Sequence, residues 1–210
     1  MAHAFRRRPD GSLACRLDGE EKAILAQVTQ ETADLIRADL GLDGESTTLR
    51  RAADSEDPLR RLEAEFAGRD AREPSDSAVQ RLFPAASQDP ELAAEYRRLG
   101  QQDLADAKLG DLRRVLAILD ATGNGHSEVV IGDEDAMALL RALNDVRIVL
   151  ADRLGLQRDG DLDTVRMLQQ IGERVEGAAL TDDDHVGSDI VIAVYELLSW
   201  LQESLLRALD

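Results

Sequence analysis

The amino-acid sequence predicts a mainly α protein, a helical bundle with a small antiparallel β-sheet on one side. Three observations carry that prediction. Stretches at about 20–40, 90–120, 133–154 and 188–208 place apolar residues at helical spacing. Pro9-Asp10-Gly11 is turn chemistry between two short arms. The run Val129-Val130-Ile131 supplies one further strand, expected to pair with the N-terminal hairpin.

In the hairpin, Leu13, Cys15 and Leu17 share one face of the second arm, so Cys15 is expected to point inward. Over 20–40, Leu25, Val28, Leu35 and Ile36, with Thr32 filling a gap, mark an amphipathic helix that Gly41 stops. Between about 41 and 77 the composition turns to Gly, Ser, Thr, Asp, Glu and Arg. A mobile charged linker is expected there, with a short helix over 58–66 behind Asp57-Pro58. Another short helix is expected over 76–82, ending before Pro84.

Asp89-Pro90-Glu91 combines a cap, a first-turn proline and an acidic residue, and opens the longest helical pattern. Leu92, Tyr96 and Leu99 set a stripe that Leu112, Val115, Leu116 and Leu119 are expected to continue, with a bend or break at Gly100 or Gly110. The helix after Gly132 is expected to turn Met137, Leu140, Leu143, Leu150 and Leu154 inward, and Gly155 closes it. A weaker helix is expected around 162–175. The last, about 188–208, has Ile190, Val194, Leu197, Leu201 and Leu205 on one side and Val191, Leu198, Trp200 and Leu206 beyond it, and is the expected centre of the core. At 210 residues, 1–210 reads as a single domain carrying the linker.

Charge restricts function more than length does. Forty-two Asp and Glu against 25 Lys and Arg leave a formal −17, which repels phosphate backbones and makes nucleic acid an unfavourable sole partner. One cysteine excludes an intrachain disulfide and a thiolate zinc cage. The first residues lack a signal-peptide pattern, and the most apolar stretch, about 190–209, is interrupted by Glu196, Gln202, Glu203 and Arg207. No membrane partner and a cytoplasmic location are therefore expected.

Motifs for chemistry are sparse. Asp120, Thr122, Asn124 and Gly125 match the start of a calcium loop, but Ile131 stands where a bidentate Glu is needed, so a helix-to-strand turn is the better reading. Asp159, Asp161 and Asp163 alternate with Thr164 at the glycine position. Asp182, Asp183, Asp184 and His185 suit a helix start without a metal. No His-Glu-x-x-His, Gly-x-Ser-x-Gly or phosphate loop is present, so no enzyme, cofactor or metal is expected. Cys15 is the one candidate redox residue. Arg6, Arg7 and Arg8 form a basic run suited to an acidic partner, or to protecting a sheet edge. Asn144 and Asp145, polar in mid-helix, need a bonding partner within the chain or outside it.

Three stretches share a further likeness: Gln80-Arg81-Leu82-Phe83-Pro84 with Ala94 to Leu99 and Lys108; Leu140 to Arg147, including Asn144 and Asp145, with Leu154-Gly155; and Val194 to Gln202, including Tyr195 and Trp200. They resemble the actinobacterial oxidative-stress transcriptional regulators called AosR. The resemblance implies a cytoplasmic, mainly helical regulator that contacts an alternative sigma factor or RNA polymerase. The family's gene neighbourhood implies a second reading, an adaptor linked to Clp proteolysis; a small-molecule or metal-binding protein is the third. The Cys-x-x-x-Cys disulfide switch attributed to the family has no counterpart here. Candidate partner-binding residues are Arg6, Arg7, Arg8, Phe83, Asn144, Asp145 and Trp200, and a homodimer is expected if the last helix leaves an apolar face uncovered.

Overall fold

The computed structural model describes residues 3–42, 71–122, 128–156 and 182–210, with the side chains of residue 3 and of 182–189 left aside. Strands β1 (His3–Arg7) and β2 (Leu13–Arg16) form the expected hairpin. Gly11 adopts φ +87°, a left-handed conformation open to glycine, while the Asp10 carboxylate accepts from the Ser12 N–H at 2.9 Å. Strand β3 (Glu128–Ile131) adds to β2, giving the antiparallel order β1-β2-β3. Leu13 lies opposite Ile131 and Cys15 opposite Val129, and these four side chains form the inner face.

Helix α1 (Gly19–Leu40) starts in a reciprocal cap in which Asp18 accepts from the Glu21 N–H and Glu21 from the Asp18 N–H. It stops at Gly41, φ +73°. Its buried face runs through Leu25, Thr29, Thr32, Ala33 and Ile36; Val28 and Leu35, expected inward, lie at its margins. The two buried threonines donate to the Leu25 and Val28 carbonyls at 2.6 and 2.8 Å, so neither hydroxyl is lost on burial.

Helix α2 (Ser77–Leu82) is capped by Asp76 and lies on the end of α4 (Asp133–Arg153), where Arg153 meets Asp76 at 2.7 Å and Arg81 donates to the Leu156 carbonyl at 3.2 Å. The Asp39 carboxylate, near the end of α1, accepts from the Ser75 N–H at 3.0 Å and the Asp76 N–H at 3.2 Å. The two ends that bound the 43–70 segment are thus tied together. The predicted linker and its 58–66 helix fall mainly on residues outside those described, as does the predicted 162–175 helix.

Helix α3 (Pro90–Ala121) runs unbroken through Gly100 and Gly110, against the expected bend. Its buried face is Ala93, Gln101, Ala105, Leu109, Leu112, Val115 and Leu119. Leu92, Tyr96 and Leu99 point to solvent, correcting the expectation of one continuous stripe. Thirteen residues separate Leu99 from Leu112, and at about 100° each they put the two on nearly opposite faces of a straight helix.

The centre of the core is α4, in place of the predicted last helix. It touches α1, α2, α3 and the last helix, α5 (Asp182–Leu209). Burial on several sides explains why Ala136, Leu139, Leu143, Val146 and Val149 are all inside, while Met137, expected inward, is exposed. In α5 the fully buried row is Leu198, Leu201 and Leu205; Ile190 and Trp200 face outward. Asp182 to His185 lie within the first turns of this helix, which begins earlier than predicted.

Candidate functional site

The three N-terminal arginines do not act as one patch. Strand alternation turns Arg7 to the face opposite that of Arg6, and Arg7 and Arg8 take different partners. Arg7 sits opposite Leu13 at the rim of the inner face and reaches three partners: Asp133 at 3.2 Å, the Gly11 carbonyl at 3.1 Å and the Ala208 carbonyl at 3.3 Å. Arg8, just past the end of β1, pairs with Glu128 of β3 at 2.6 Å. Arg6 is exposed, opposite Ala14.

Arg6 and Arg7 border a groove of about 520 Å³ between β1 and α5, shared with Trp200, Glu203, Arg207 and Asp210. The edge of β1 is closed here. The Phe5 N–H, turned away from β2, donates to the buried Ser204 hydroxyl at 3.2 Å, and that hydroxyl donates on to the Leu201 carbonyl at 2.9 Å. Protection of this edge therefore comes from α5, with Arg7 as its outer clamp. Trp200 presents a partly exposed indole on the groove wall, and Arg207 meets Glu203 at 2.5 Å.

A second constellation gathers Phe83 and Asp145 around Lys108, which the sequence reading left outside its candidate residues. Lys108 Nζ lies 2.7 Å from Asp145 Oδ1 and 6.0 Å from the Phe83 ring centroid. Asp145 is 3% exposed. Burial pushes its carboxyl above the ordinary value, against the hydrogen bond and charge of Lys108, and nearby Asp111 adds to the rise. Arg141 grips Asp111 at 2.6 and 2.8 Å, so a line of alternating charges joins α3 to α4. The partner that Asp145 needs lies within the chain, on α3, while Asn144 stays exposed beside it.

A third group lies between α4 and α5. Arg147 donates to the Gln202 Oε1 at 2.5 Å and to the Tyr195 hydroxyl at 3.3 Å, with its guanidinium 5.2 Å from the Tyr195 ring centroid. Phe83, Lys108, Asp145, Arg147, Tyr195 and Gln202 all come from the three stretches singled out in the sequence. On different sides of α4, they join α2 to α3 and α3 to α4, and α4 to α5. The signal that finds them is a charge set inside an otherwise apolar helical run, which must be paired to be buried.

Cys15 lies on the inner face, 2% exposed, among Phe5, Leu25, Val115 and Leu143. Burial, with Glu128 and Glu21 adding to it, pushes the thiol up to about 12. The reactive thiolate is therefore suppressed at neutral pH, and the buried sulfur is shut away from oxidants in the folded chain. Among the described residues no group of three or more His, Cys, Asp or Glu side chains is arranged to hold a metal ion. Residues 123–127, which carry Asn124 and Gly125 of the calcium-like run, and Asp159, Asp161 and Asp163 lie outside them.

Fold and side-chain groups together define a mainly helical, strongly acidic domain whose buried charges cement helix to helix and whose Trp-bearing groove opens to solvent. The chain belongs to the family described as Domain of unknown function (DUF2017), whose model matches residues 2–209. No curated protein and no solved structure matches it. Among the described residues no helix is long and apolar enough to cross a membrane.

Proposed function

We propose that this chain is a non-catalytic regulator that binds a protein of the transcription apparatus, an alternative sigma factor first and RNA polymerase second. The observation that carries the reading is the groove between β1 and α5. It offers a half-open Trp200 wall rimmed by Arg6, Arg207, Glu203 and Asp210, an aromatic anchor inside a polar rim as in protein interfaces. A net charge of −17 selects a basic partner over DNA. The likeness to the AosR regulators of oxidative stress points the same way. Cys15 has no part in the proposal: buried as it is, it leaves any redox signal to enter through the partner.

The test is capture of sigma factors and polymerase by the purified chain at moderate salt. One of them is expected to bind, and Trp200→Ala to weaken it about tenfold or more. Recovery of neither overturns the reading, and capture of ClpS or a Clp ATPase in their place favours a proteolytic adaptor.

A further inference from the structure

The solvent face of α3 carries a row that the bundle does not use. Leu92, Tyr96 and Leu99 are 52%, 56% and 61% exposed. Successive residues turn by about 100°, so Asp103 and Asp106 continue the same row, all five within about 40° either side of Leu92 and over roughly 21 Å of helix. Apolar side chains this open, spaced at i, i+4 and i+7, match the anchor spacing of helix-on-helix recognition. Among the described residues no packing role accounts for them, because α3 packs through Ala93, Gln101, Ala105 and Leu109 on its other side. Among the described residues no cation pairs with Asp103 or Asp106, whereas Glu95, beside the row, is already held by Arg98 at 2.7 Å.

We propose that this row is a docking surface for a basic amphipathic helix of a partner protein, its apolar stripe on Leu92, Tyr96 and Leu99 and its Lys or Arg residues on Asp103 and Asp106. Charge decides between occupants. A second copy of this chain would bring another −17 and a like-charged row, which repel, while a basic helix gains at both carboxylates and meets the apolar patch as well. The proposal rests on the reading of the chain as a partner-binding protein and assigns that partner a second contact, on α3, apart from the Trp200 groove.

The probe is a synthetic amphipathic helix of leucine and lysine, with a leucine and glutamate helix of the same spacing as control, titrated against the full chain by fluorescence anisotropy. The Leu/Lys peptide is expected to bind and the Leu/Glu peptide not to. The double variant Leu92→Gln with Leu99→Gln, at exposed positions and with a good helix former, should raise Kd at least tenfold. Asp103→Asn with Asp106→Asn should raise it severalfold and flatten its salt dependence. Leu206→Gln, an exposed apolar site on α5, should leave it within twofold. Equal binding of the two peptides overturns the proposal, as does an unchanged Kd in the Leu92/Leu99 variant or an equal loss in Leu206→Gln. A dimer in light scattering that this double variant dissociates overturns it in favour of a second copy. If polymerase or sigma factor is captured equally by wild type and the double variant, the α3 surface fails and the regulatory reading stands. If wild type captures neither yet the peptide results hold, the regulatory reading fails and the surface stands.

Discussion

Lys108 and Asp145 show how much one residue decides in this bundle. The Asp145 carboxylate is buried, and among the described residues the cation that pairs with it is Lys108, at 2.7 Å. Removing that cation by Lys108→Met strands a buried charge and is expected to cost ~3 kcal/mol in urea unfolding. The pH dependence follows from the direction of the shift. Burial holds Asp145 above its ordinary value, so as pH rises the unfolded chain ionises first, and stability falls until the folded carboxyl follows. Without Lys108 the carboxyl rises further. The penalty of Lys108→Met should therefore be largest near neutral pH and shrink as pH drops below the folded value of Asp145, and the double variant with Asp145→Asn should recover much of it. A penalty that does not change with pH would contradict an ionised buried partner. Cys15 makes a second residue-scale prediction: a thiol reagent should modify it only as fast as the chain unfolds, with labelling and loss of helix signal sharing one urea midpoint. Its inward placement was legible from the alternation of Leu13, Cys15 and Leu17; the partner of Asp145 was not, because 37 residues separate the pair along the chain.

At the scale of elements, local signals and packing diverge. Turn and cap chemistry places the hairpin, the starts of α2 and α3 and the stop of α1, because these signals act between near neighbours. The Asp39 clasp is a longer-range device joining the end of α1 to the entry of α2. Asp39→Ala is expected to cost about 1–2 kcal/mol and to speed hydrogen exchange at the Ser75 and Asp76 amides ahead of the α4 core. Unchanged exchange there would show that the joint is held by α2 against α4 alone. The faces of α1, α3 and α5 are harder to assign from spacing. Thr29 and Gln101 sit inside because each polar group finds a carbonyl, Thr29 that of Leu25 one turn back at 2.6 Å and Gln101 that of Arg72 at 2.9 Å, and Ala105 because a small side chain fits where helices meet. The opposed stripes of α3 were available in the 13-residue spacing from Leu99 to Leu112, once the helix is taken as straight.

For the whole molecule, −17 on 210 residues is a self-repulsion that the local ion pairs do not cancel. Raising NaCl from ~20 to ~200 mM is expected to lift the thermal midpoint by roughly 2–4 °C, the shift that ~1 kcal/mol produces in a chain of this size. A falling midpoint would mean that pairs such as Arg141 with Asp111 and Arg8 with Glu128 outweigh the global field. The same charge sets the partner chemistry, so binding to a basic protein should weaken as salt rises.

The sequence by itself determined the fold class, the hairpin, most helix boundaries, the acidity and the inward cysteine, since periodicity, capping and composition are local properties that need no neighbour. Only the tertiary structure decided that α4 lies at the centre, that Arg6, Arg7 and Arg8 go three separate ways, that Lys108 joins Phe83 to Asp145, and that Leu92, Tyr96 and Leu99 stay outside. Each of these depends on which elements meet and at what rotation. Periodicity shows that a helix has faces; the choice of the buried one belongs to the neighbour it packs against.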